Sequence, residues 1–286
     1  MIKKIEHFLE AFVLHMLFTA FRLFSFDTAS KMGGLMAKAI GPSLSAHKTA
    51  KKNLSMVFPT LSEKDKDKLL NKMWDNLGRT AAELSHLQKS YVETRITVRG
   101  QENLPVSGKP AFMFSGHIGN WELLAVVAQI CGRPITGVYR EANNRIVDEM
   151  IAKIRRSRCL NLIPKGRQGA VKIARAIKNN EAISMLVDQK MNDGIEVPFF
   201  GKPAMTAPAI AELALRYNAP IIPARAIRMG GANFEVTIYK PIEYNKTGDK
   251  EKDARNIMLK INETLEEWIR EYPEQWFWVH KRWPKE

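Results

Sequence analysis

Short apolar runs, which predict β-strands, alternate with stretches of helical periodicity from residue 96 to the end of the chain. The predicted strands are residues 96–98, 111–114, 135–139, 160–163, 183–187, 221–225 and 234–239. The predicted helices are residues 121–131, 145–156, 170–178, 207–217 and 251–271. Gly230 and Gly231 between the last two strands indicate a hairpin and one antiparallel edge. The alternation predicts an α/β fold with a mainly parallel central sheet flanked by helices.

The chain before residue 96 follows a different pattern. Residues 2–26 form the most apolar stretch, but polar residues interrupt it, so a membrane-spanning helix is not clearly predicted. Glu10, His15 and Arg22 lie among its apolar residues. We interpret residues 1–26 as a membrane-anchoring helix, either a marginal span or an interfacial helix, with a buried core helix as the alternative. A helical segment over residues 27–95 and an α/β domain over residues 96–286 would follow.

The charge balance and the cysteine count narrow the possible partners. The chain carries 44 Lys and Arg against 30 Asp and Glu, a formal net charge of +14, so its surface attracts nucleic acid, anionic membrane or an acidic protein. Cys131 and Cys159 lack ligand spacing and the six histidines are scattered, so neither a metal site nor a disulfide framework is predicted. The glycine patterns of phosphate loops and dinucleotide sites are missing, so no cofactor is expected.

The stretch that follows the strand over residues 111–114 carries the strongest candidate chemistry. Asn120 is a suitable N-cap, so we expect a helix to start there, leaving His117 in the preceding loop and Glu122 in the first helical turn. A carboxylate hydrogen-bonded to one imidazole nitrogen makes the other nitrogen a better base, which could deprotonate a hydroxyl for attack on an acyl carbonyl. From the spacing alone, a histidine in a polar loop beside a capped helix is the simpler interpretation.

Several motifs in this sequence resemble those of known acyltransferases. Residues 116–122, Gly-His-Ile-Gly-Asn-Trp-Glu, resemble the His-x-x-x-x-Asp/Glu motif of glycerolipid acyltransferases, and their last four residues are similar to the bacterial late acyltransferases of lipid A biosynthesis. Other stretches fit the same family in order and spacing, so the resemblance covers nearly the whole chain. They are Tyr139-Arg140 with Asn143-Asn144, Asp188-Gln189 with residues 197–201, and residues 272–283.

The resemblance implies roles for six residues. His117 would be the general base and Glu122 its orienting carboxylate. The implied substrate-binding residues are Arg140, Arg156, Asp188 and Asn120. Arg140, and less directly Arg156, would hold an acceptor phosphate, and Asp188 would support the site. From the residues alone, an arginine at a strand end in water is an equal alternative for Arg140.

The resemblance also implies a reaction, a donor and a location. The chain would transfer a fatty acyl group from acyl carrier protein to a hydroxyl of a Kdo-lipid IV(A)-type acceptor at the cytoplasmic face of the bacterial inner membrane. A covalent acyl-serine is not implied, because no Gly-x-Ser-x-Gly elbow is present. The expected partners are acyl carrier protein, an anionic glycolipid and the membrane, without nucleic acid. The alternatives are transfer to another glycolipid or a glycerophosphate, and a non-catalytic basic protein that binds membrane or nucleic acid.

A groove for the acyl chain is a further expectation from the resemblance. The residues expected to line it are Pro198, Phe199, Phe200 and Met205. From the residues alone, these side chains could equally belong to the hydrophobic core.

Overall fold

The computed structural model describes residues 2–88, 90–106, 108–159 and 161–283. The strands are β1 (Ile96–Arg99), β2 (Ala111–Ser115), β3 (Ile135–Tyr139), β4 (Asn161–Pro164), β5 (Ala182–Leu186), β6 (Lys190–Phe199), β7 (Lys202–Thr206), β8 (Ile221–Gly230) and β9 (Asn233–Ile238). The helices are α1 (Ile2–Arg22), α2 (Phe26–Ile40), α3 (Ser45–Val57), α4 (Glu63–Leu84), α5 (Leu123–Ile130), α6 (Arg145–Arg156), α7 (Arg167–Lys178), α8 (Ala209–Tyr217) and α9 (Lys250–Glu271).

Seven of the strands form one central sheet in the order β1-β9-β8-β2-β5-β3-β4. Every neighbouring pair is parallel except β8 and β9, which form the expected antiparallel hairpin. Strands β6 and β7 form a separate antiparallel ribbon, which the sequence pattern did not predict. The predicted α/β class with a mainly parallel sheet flanked by helices is confirmed.

The two central strands determine where a site can form. All five residues of β2 are buried, as expected for a strand covered by helices on both faces of a parallel sheet. β2 pairs with β5 in a register that places Ser115 beside Leu186, so both strands end at the same edge of the sheet. The two loops that leave this edge therefore start side by side.

Alternate residues of β2 separate two core layers, because successive side chains of a strand point to opposite faces. Phe112 and Phe114 belong to the layer that includes residues of α7, α8 and α9. Ala111 and Met113 belong to the layer that includes residues of α5 and the buried side of α1. α1 and α2 therefore share a core layer with α5, which follows the loop containing His117.

α2 and α4 pack with their backbones in contact. A Cβ atom on Gly33 would clash with the carbonyl oxygen of Gly78, and one on Gly78 would clash with that of Gly33. Only glycine at both positions permits this approach. α4 in turn contacts the turn at Pro273–Gln275, so the helical segment lies against the α/β body.

α1 presents much of its apolar surface outward. Phe8 is 62% exposed and Phe12 is 54% exposed, whereas Ala11, Phe18 and Phe21 are buried. In the part of the chain that the structure describes, no helix is both long and apolar enough to cross a membrane.

Candidate active site

The paired ends of β2 and β5 bring His117 and Asp188 together. Each residue follows its strand by two positions, counted from the paired residues Ser115 and Leu186. His117 Nδ1 lies 2.7 Å from Asp188 Oδ1, and the backbone N–H of His117 donates to Asp188 Oδ2 at 2.7 Å. The carboxylate thereby fixes the imidazole by two separate bonds.

Asp188 is held in its ionised form although it is only 2% exposed. Trp276 Nε1 adds a third donor to the carboxylate at 2.9 Å. Burial acts to raise the pKa of Asp188, but the charge of His117 and the hydrogen bonds from His117 and Trp276 outweigh it and hold that pKa well below its usual range. A buried carboxylate at Nδ1 leaves Nε2 as the basic nitrogen of a neutral imidazole.

The Nε2 side of His117 faces a cavity. His117 lines this cavity together with Gln189, whose Nε2 lies 3.4 Å from His117 Nε2. The rings of Trp121 and Phe277 pack around the imidazole, with ring centroids 4.9 and 5.7 Å from it. The imidazole is therefore confined by aromatic neighbours, with its free nitrogen directed at a polar group of the cavity wall.

The structure does not show the expected hydrogen bond between Glu122 and His117. Glu122 pairs instead with Arg155, which donates from Nε at 2.9 Å and again from a terminal nitrogen, while Trp121 Nε1 donates to it at 3.1 Å. Burial acts to raise the pKa of Glu122, but the charge and hydrogen bonds of Arg155 and the bond from Trp121 lower it. The carboxylate therefore stays ionised as the partner of a cavity-lining arginine.

The predicted N-cap at Asn120 is also wrong. α5 begins at Leu123, after a turn over residues 120–122. Asn120 Oδ1 accepts the backbone N–H of Glu122 at 3.2 Å, and its amide donates to Glu83 Oε2 at 2.8 Å. Asn120, expected as a substrate-binding residue, is 1% exposed and is not among the residues that line the cavity.

The cavity has a volume of about 390 Å³ and lies between the sheet and the helices α5 and α6. Its wall follows β3 from Ile135 to Tyr139. The apolar lining consists mainly of Leu124, Ala125, Ile135, Val138, Leu162 and Leu186. Gly137 contributes no side chain, and a Cβ atom there would lie 3.2 Å from Leu162 Cδ2. The cavity lining therefore combines these apolar side chains with polar and charged ones, His117 among them.

Two cations lie at the mouth of this cavity. Arg140 and Lys165 both line it and are exposed, and the backbone N–H of Lys165 donates to Tyr139 O at 2.8 Å, which links the ends of β3 and β4. Within the described ranges, Arg140 has no carboxylate partner, so its charge is free for an anion.

Arg156, the other expected phosphate ligand, lies outside the cavity. It is exposed and pairs with Glu149 at 2.9 Å, while its neighbour Arg155 and the more distant Arg158 line the cavity. Successive residues of a helix point about 100° apart, which separates Arg155 from Arg156. Phe199, expected in the acyl groove, is fully buried and packs against Trp276 and Trp283 instead.

His280 near the site gives stability a pH dependence. Its Nε2 accepts the backbone N–H of Lys190 at 2.8 Å, which requires a neutral ring. Burial lowers the pKa of His280 from 6.5 to about 4, against the opposing charge of Asp188. Between pH 6.5 and 5 the unfolded chain therefore binds a proton at this residue that the folded chain does not bind. The free energy of unfolding consequently decreases as the pH is lowered from 6.5 to 5.

We expect the free energy of unfolding to drop by roughly 2 kcal/mol from this group between pH 6.5 and 5. The His280→Gln variant, whose side-chain oxygen can still accept from Lys190, should lack this part of the loss. Urea unfolding of both proteins at the two pH values measures the difference. Equal losses in both proteins would contradict the assignment.

The site thus places a buried carboxylate–imidazole pair beside a cavity whose lining is partly apolar and partly cationic. The family model for bacterial lipid A biosynthesis acyltransferases matches residues 3–285, and the chain belongs to that family. The protein is therefore an O-acyltransferase of lipid A biosynthesis, as the motifs indicated.

The sequence identity to individual members of the family is low. The chain is 25% identical over 249 residues to the lipid A biosynthesis palmitoleoyltransferase of Escherichia coli (strain K12), covering 82% of this chain and 77% of that protein. It is 25% identical over 244 residues to the lipid A biosynthesis acyltransferase of Haemophilus influenzae, covering 82% and 76%. A crystal structure of the 1-acyl-sn-glycerophosphate acyltransferase PlsC from Thermotoga maritima matches with a TM-score of 0.40 and 15% identity, covering 84% of this chain and 98% of that one.

Proposed function

We propose that the protein transfers a fatty acyl group from acyl carrier protein to a hydroxyl of a Kdo-lipid IV(A)-type acceptor, with His117 as general base. The acceptor hydroxyl gives its proton to His117 Nε2 as its oxygen bonds to the thioester carbonyl carbon. The carbon–sulfur bond then breaks, and the imidazolium returns the proton to the leaving thiolate. No acyl-enzyme forms.

The observation that carries this proposal is the His117–Asp188 pair at the mouth of the cavity. Asp188 takes the orienting role that the motif assigns to Glu122, because it bonds His117 Nδ1 at 2.7 Å and is itself fixed by Trp276. An ionised, buried partner stabilises the imidazolium that forms when the hydroxyl is deprotonated. Glu122 contributes by holding Arg155 in the cavity wall.

A transfer assay tests the function directly. Purified protein in detergent receives a panel of acyl carrier protein thioesters with a tetra-acylated, Kdo-bearing lipid A precursor, beside the same panel of acyl-coenzyme A donors. Mass spectrometry should show one added acyl group with the wild type and none with His117→Ala. A glycerophosphate or another glycolipid serving as the better acceptor would replace the proposed substrate. Product from His117→Ala at the wild-type rate would contradict the base.

The apolar part of the cavity wall is the proposed binding site for the acyl chain. It follows four residue steps of β3, a distance of about 13 Å at roughly 3.3 Å per residue. One relative is named a palmitoleoyltransferase, and a long acyl chain bound at this site would agree with that name.

Filling the space at Gly137 should shorten the chain that the enzyme accepts. We expect Gly137→Val, which suits a strand, to transfer the shortest acyl donors at near wild-type rates and to lose the longest by at least about tenfold. The short donors are the internal control, because a general defect would reduce all rates together. Competition among donors of different length, read by mass spectrometry, measures the shift. An unchanged product profile would place the chain elsewhere.

Arg140 is the proposed ligand for an acceptor phosphate, with Lys165 beside it. We expect Arg140→Gln to raise the acceptor KM by roughly 10- to 100-fold with little change in kcat, since a hydrogen bond to a charged group contributes roughly 1.5–3 kcal/mol. Arg156→Gln is the matched control, because Arg156 pairs with Glu149 outside the cavity. Equal effects of the two substitutions would refute a phosphate site at Arg140.

The outward apolar face of α1 supports association with the cytoplasmic face of the bacterial inner membrane. An amphipathic helix whose exposed side is apolar binds at a lipid surface, and the net charge of +14 favours anionic lipid. α1 is also linked to the rim of the cavity, because Asn144 donates to His7 O at 2.7 Å and to Glu10 Oε2 at 2.9 Å. A lipid acceptor would thus reach the cavity from the surface on which α1 lies.

A further inference from the structure

One polar face of α4 holds the loop that carries His117. Asn76, Thr80 and Glu83 are spaced four and three residues apart, so they lie on one face of the helix, and all three are buried. Asn76 Nδ2 donates to Gly119 O at 3.0 Å, and Thr80 Oγ1 donates to the same oxygen at 3.1 Å. A single backbone carbonyl two residues after His117 is therefore fixed by two side chains from outside the loop.

Glu83 holds the next residue of the loop. Its Oε2 accepts the amide N–H of Asn120 at 2.8 Å, while Asn120 Oδ1 accepts the backbone N–H of Glu122 at 3.2 Å. The Asn120 side chain thus connects α4 to the start of the turn that leads into α5. That turn carries Trp121, which packs on the imidazole of His117.

Further buried donors fix Glu83 itself. Arg228 of β8 reaches its two carboxylate oxygens from both terminal nitrogens, Nη2 to Oε2 at 2.9 Å, and Ser30 of α2 donates to Oε1 at 2.6 Å. Arg228 Nε also donates to Asn76 Oδ1 at 2.8 Å. Because a buried ion pair adds little net stability compared with apolar packing, the feature that it supplies here is a fixed geometry.

The opposite side of the loop packs on β8 and on the C-terminal segment. Gly119 has a φ of +60°, and a Cβ atom there would clash with Ala226 O. The backbone N–H of Asn120 donates to Ala226 O at 3.0 Å, and that of Phe277 donates to His117 O at 3.0 Å. The loop therefore lies between α4 and β8, with side-chain hydrogen bonds from α4 on one side and the backbone of β8 on the other.

We propose that Glu83, Asn76 and Thr80 are positioning residues for His117. They do not line the cavity, and they act through Gly119 and Asn120 to hold the imidazole against Asp188 with Nε2 directed into the cavity. This inference rests on the proposed function, since it assigns the purpose of the contacts to base catalysis. A displacement of about 1 Å at a reacting group can reduce the rate roughly 100-fold.

Glu83→Gln is the most direct variant. An amide has one acceptor oxygen and one NH₂ group, so at one of the two positions that now accept from Arg228 the variant would present a donor to a donor. We expect kcat to fall roughly 100-fold with the acceptor KM within about threefold of wild type. Thr80→Val, which keeps the shape and loses the hydroxyl, should lower kcat by about tenfold, and Thr80→Ser, which keeps the hydroxyl, should restore it.

Hydrogen–deuterium exchange provides a readout that needs no reaction. Peptides covering residues 112–124 should take up deuterium faster in Glu83→Gln and Thr80→Val than in the wild type. Ser85→Ala is the matched control, because Ser85 is equally buried at the same end of α4 and, among the described residues, its hydroxyl bonds only the nearby Ala82 O and His86. That control should leave both uptake and kcat unchanged.

The outcomes separate the two proposals. Faster exchange in the loop together with a kcat loss in Glu83→Gln and Thr80→Val, absent from Ser85→Ala, supports the positioning role. Wild-type kcat and uptake in either folded variant would overturn it, and so would an equal loss in Ser85→Ala or an effect confined to KM. A wild type that acylates no acceptor would refute the proposed function, and the exchange comparison would still decide whether α4 holds the loop. If Glu83→Gln does not fold, the Thr80 pair carries the test.

Discussion

Asp188→Asn is expected to reduce kcat by roughly 10⁴-fold with a small change in KM. The substitution keeps the shape of the side chain but removes the charge that fixes the Nδ1 proton of His117 and stabilises the imidazolium. The amide can also present its NH₂ group to Nδ1, which favours the tautomer with the proton on Nε2, where no base is left. Steady-state transfer with the best donor and acceptor of the panel measures the effect.

Glu122→Gln is the matched comparison for this prediction. Glu122 lies in the motif that suggested the catalytic pair, yet its partners are Arg155 and Trp121. We expect the substitution to lower the free energy of unfolding by about 2 kcal/mol, because Arg155 loses its charged partner. We expect kcat to fall by only about tenfold, because Glu122 contacts His117 only indirectly, through the ring of Trp121 that packs on the imidazole. A larger kcat loss in Glu122→Gln than in Asp188→Asn would return the orienting role to Glu122.

Removing two aromatic side chains from α1 should nearly abolish binding to lipid vesicles. Phe8 and Phe12 are more than half exposed and stack on each other with centroids 6.5 Å apart. Burial of one such side chain contributes roughly 1.5–3 kcal/mol, so Phe8→Ser with Phe12→Ser should weaken partitioning into anionic vesicles by about 100-fold or more. Vesicle sedimentation at fixed ionic strength measures the partition coefficient.

Val171→Ser is the control for the membrane prediction. Val171 is 69% exposed on α7, which packs on the opposite face of the sheet from α1. Its substitution should leave vesicle binding unchanged, and the double variant of α1 should retain transfer to an acceptor dispersed in detergent. Wild-type partitioning of the double variant would exclude α1 as the lipid-binding face.

The sequence predicted the fold class well because its signals are local. The apolar runs over residues 111–114 and 183–187 are strands that helices cover on both sides, and a run of apolar residues is sufficient to recognise them. Gly230 and Gly231 likewise predicted the hairpin through turn chemistry. The ribbon β6–β7 was missed because Asn192, Asp193 and Gly194 are typical of a mobile loop and not of a strand.

The partner of His117 was not predictable, because it depends on the order of strands in the sheet. Asp188 directly follows the predicted strand over residues 183–187, but the adjacency and register of β2 and β5 arise only on folding. Glu122 was predicted because it is the acidic residue of the His-x-x-x-x-Asp/Glu motif and lies close to His117 in sequence. The role of Asn120 was missed similarly, because its partner Glu83 belongs to a helix that the sequence presents as a separate segment.

Helical phase separates Arg156 from the arginines that line the cavity. Arg155, Arg156 and Arg158 form a basic cluster at the end of α6, and the run of charges by itself does not show which of them faces the cavity. The apolar positions Ile151 and Ile154 mark the inward side of α6, and residues 155 and 158 lie closer to that side than residue 156. That signal was present in the sequence and could have selected Arg155 and Arg158.

The central claim is that Asp188, and not Glu122, bonds the imidazole of His117. Proton NMR of protein with ¹⁵N-labelled histidine tests it most directly, through the downfield resonance of the His117 Nδ1–H proton, assigned by its loss in His117→Ala. We expect this resonance to persist in Glu122→Gln and to disappear in Asp188→Asn. Its persistence in folded Asp188→Asn together with its loss in Glu122→Gln would show that Glu122, and not Asp188, bonds His117.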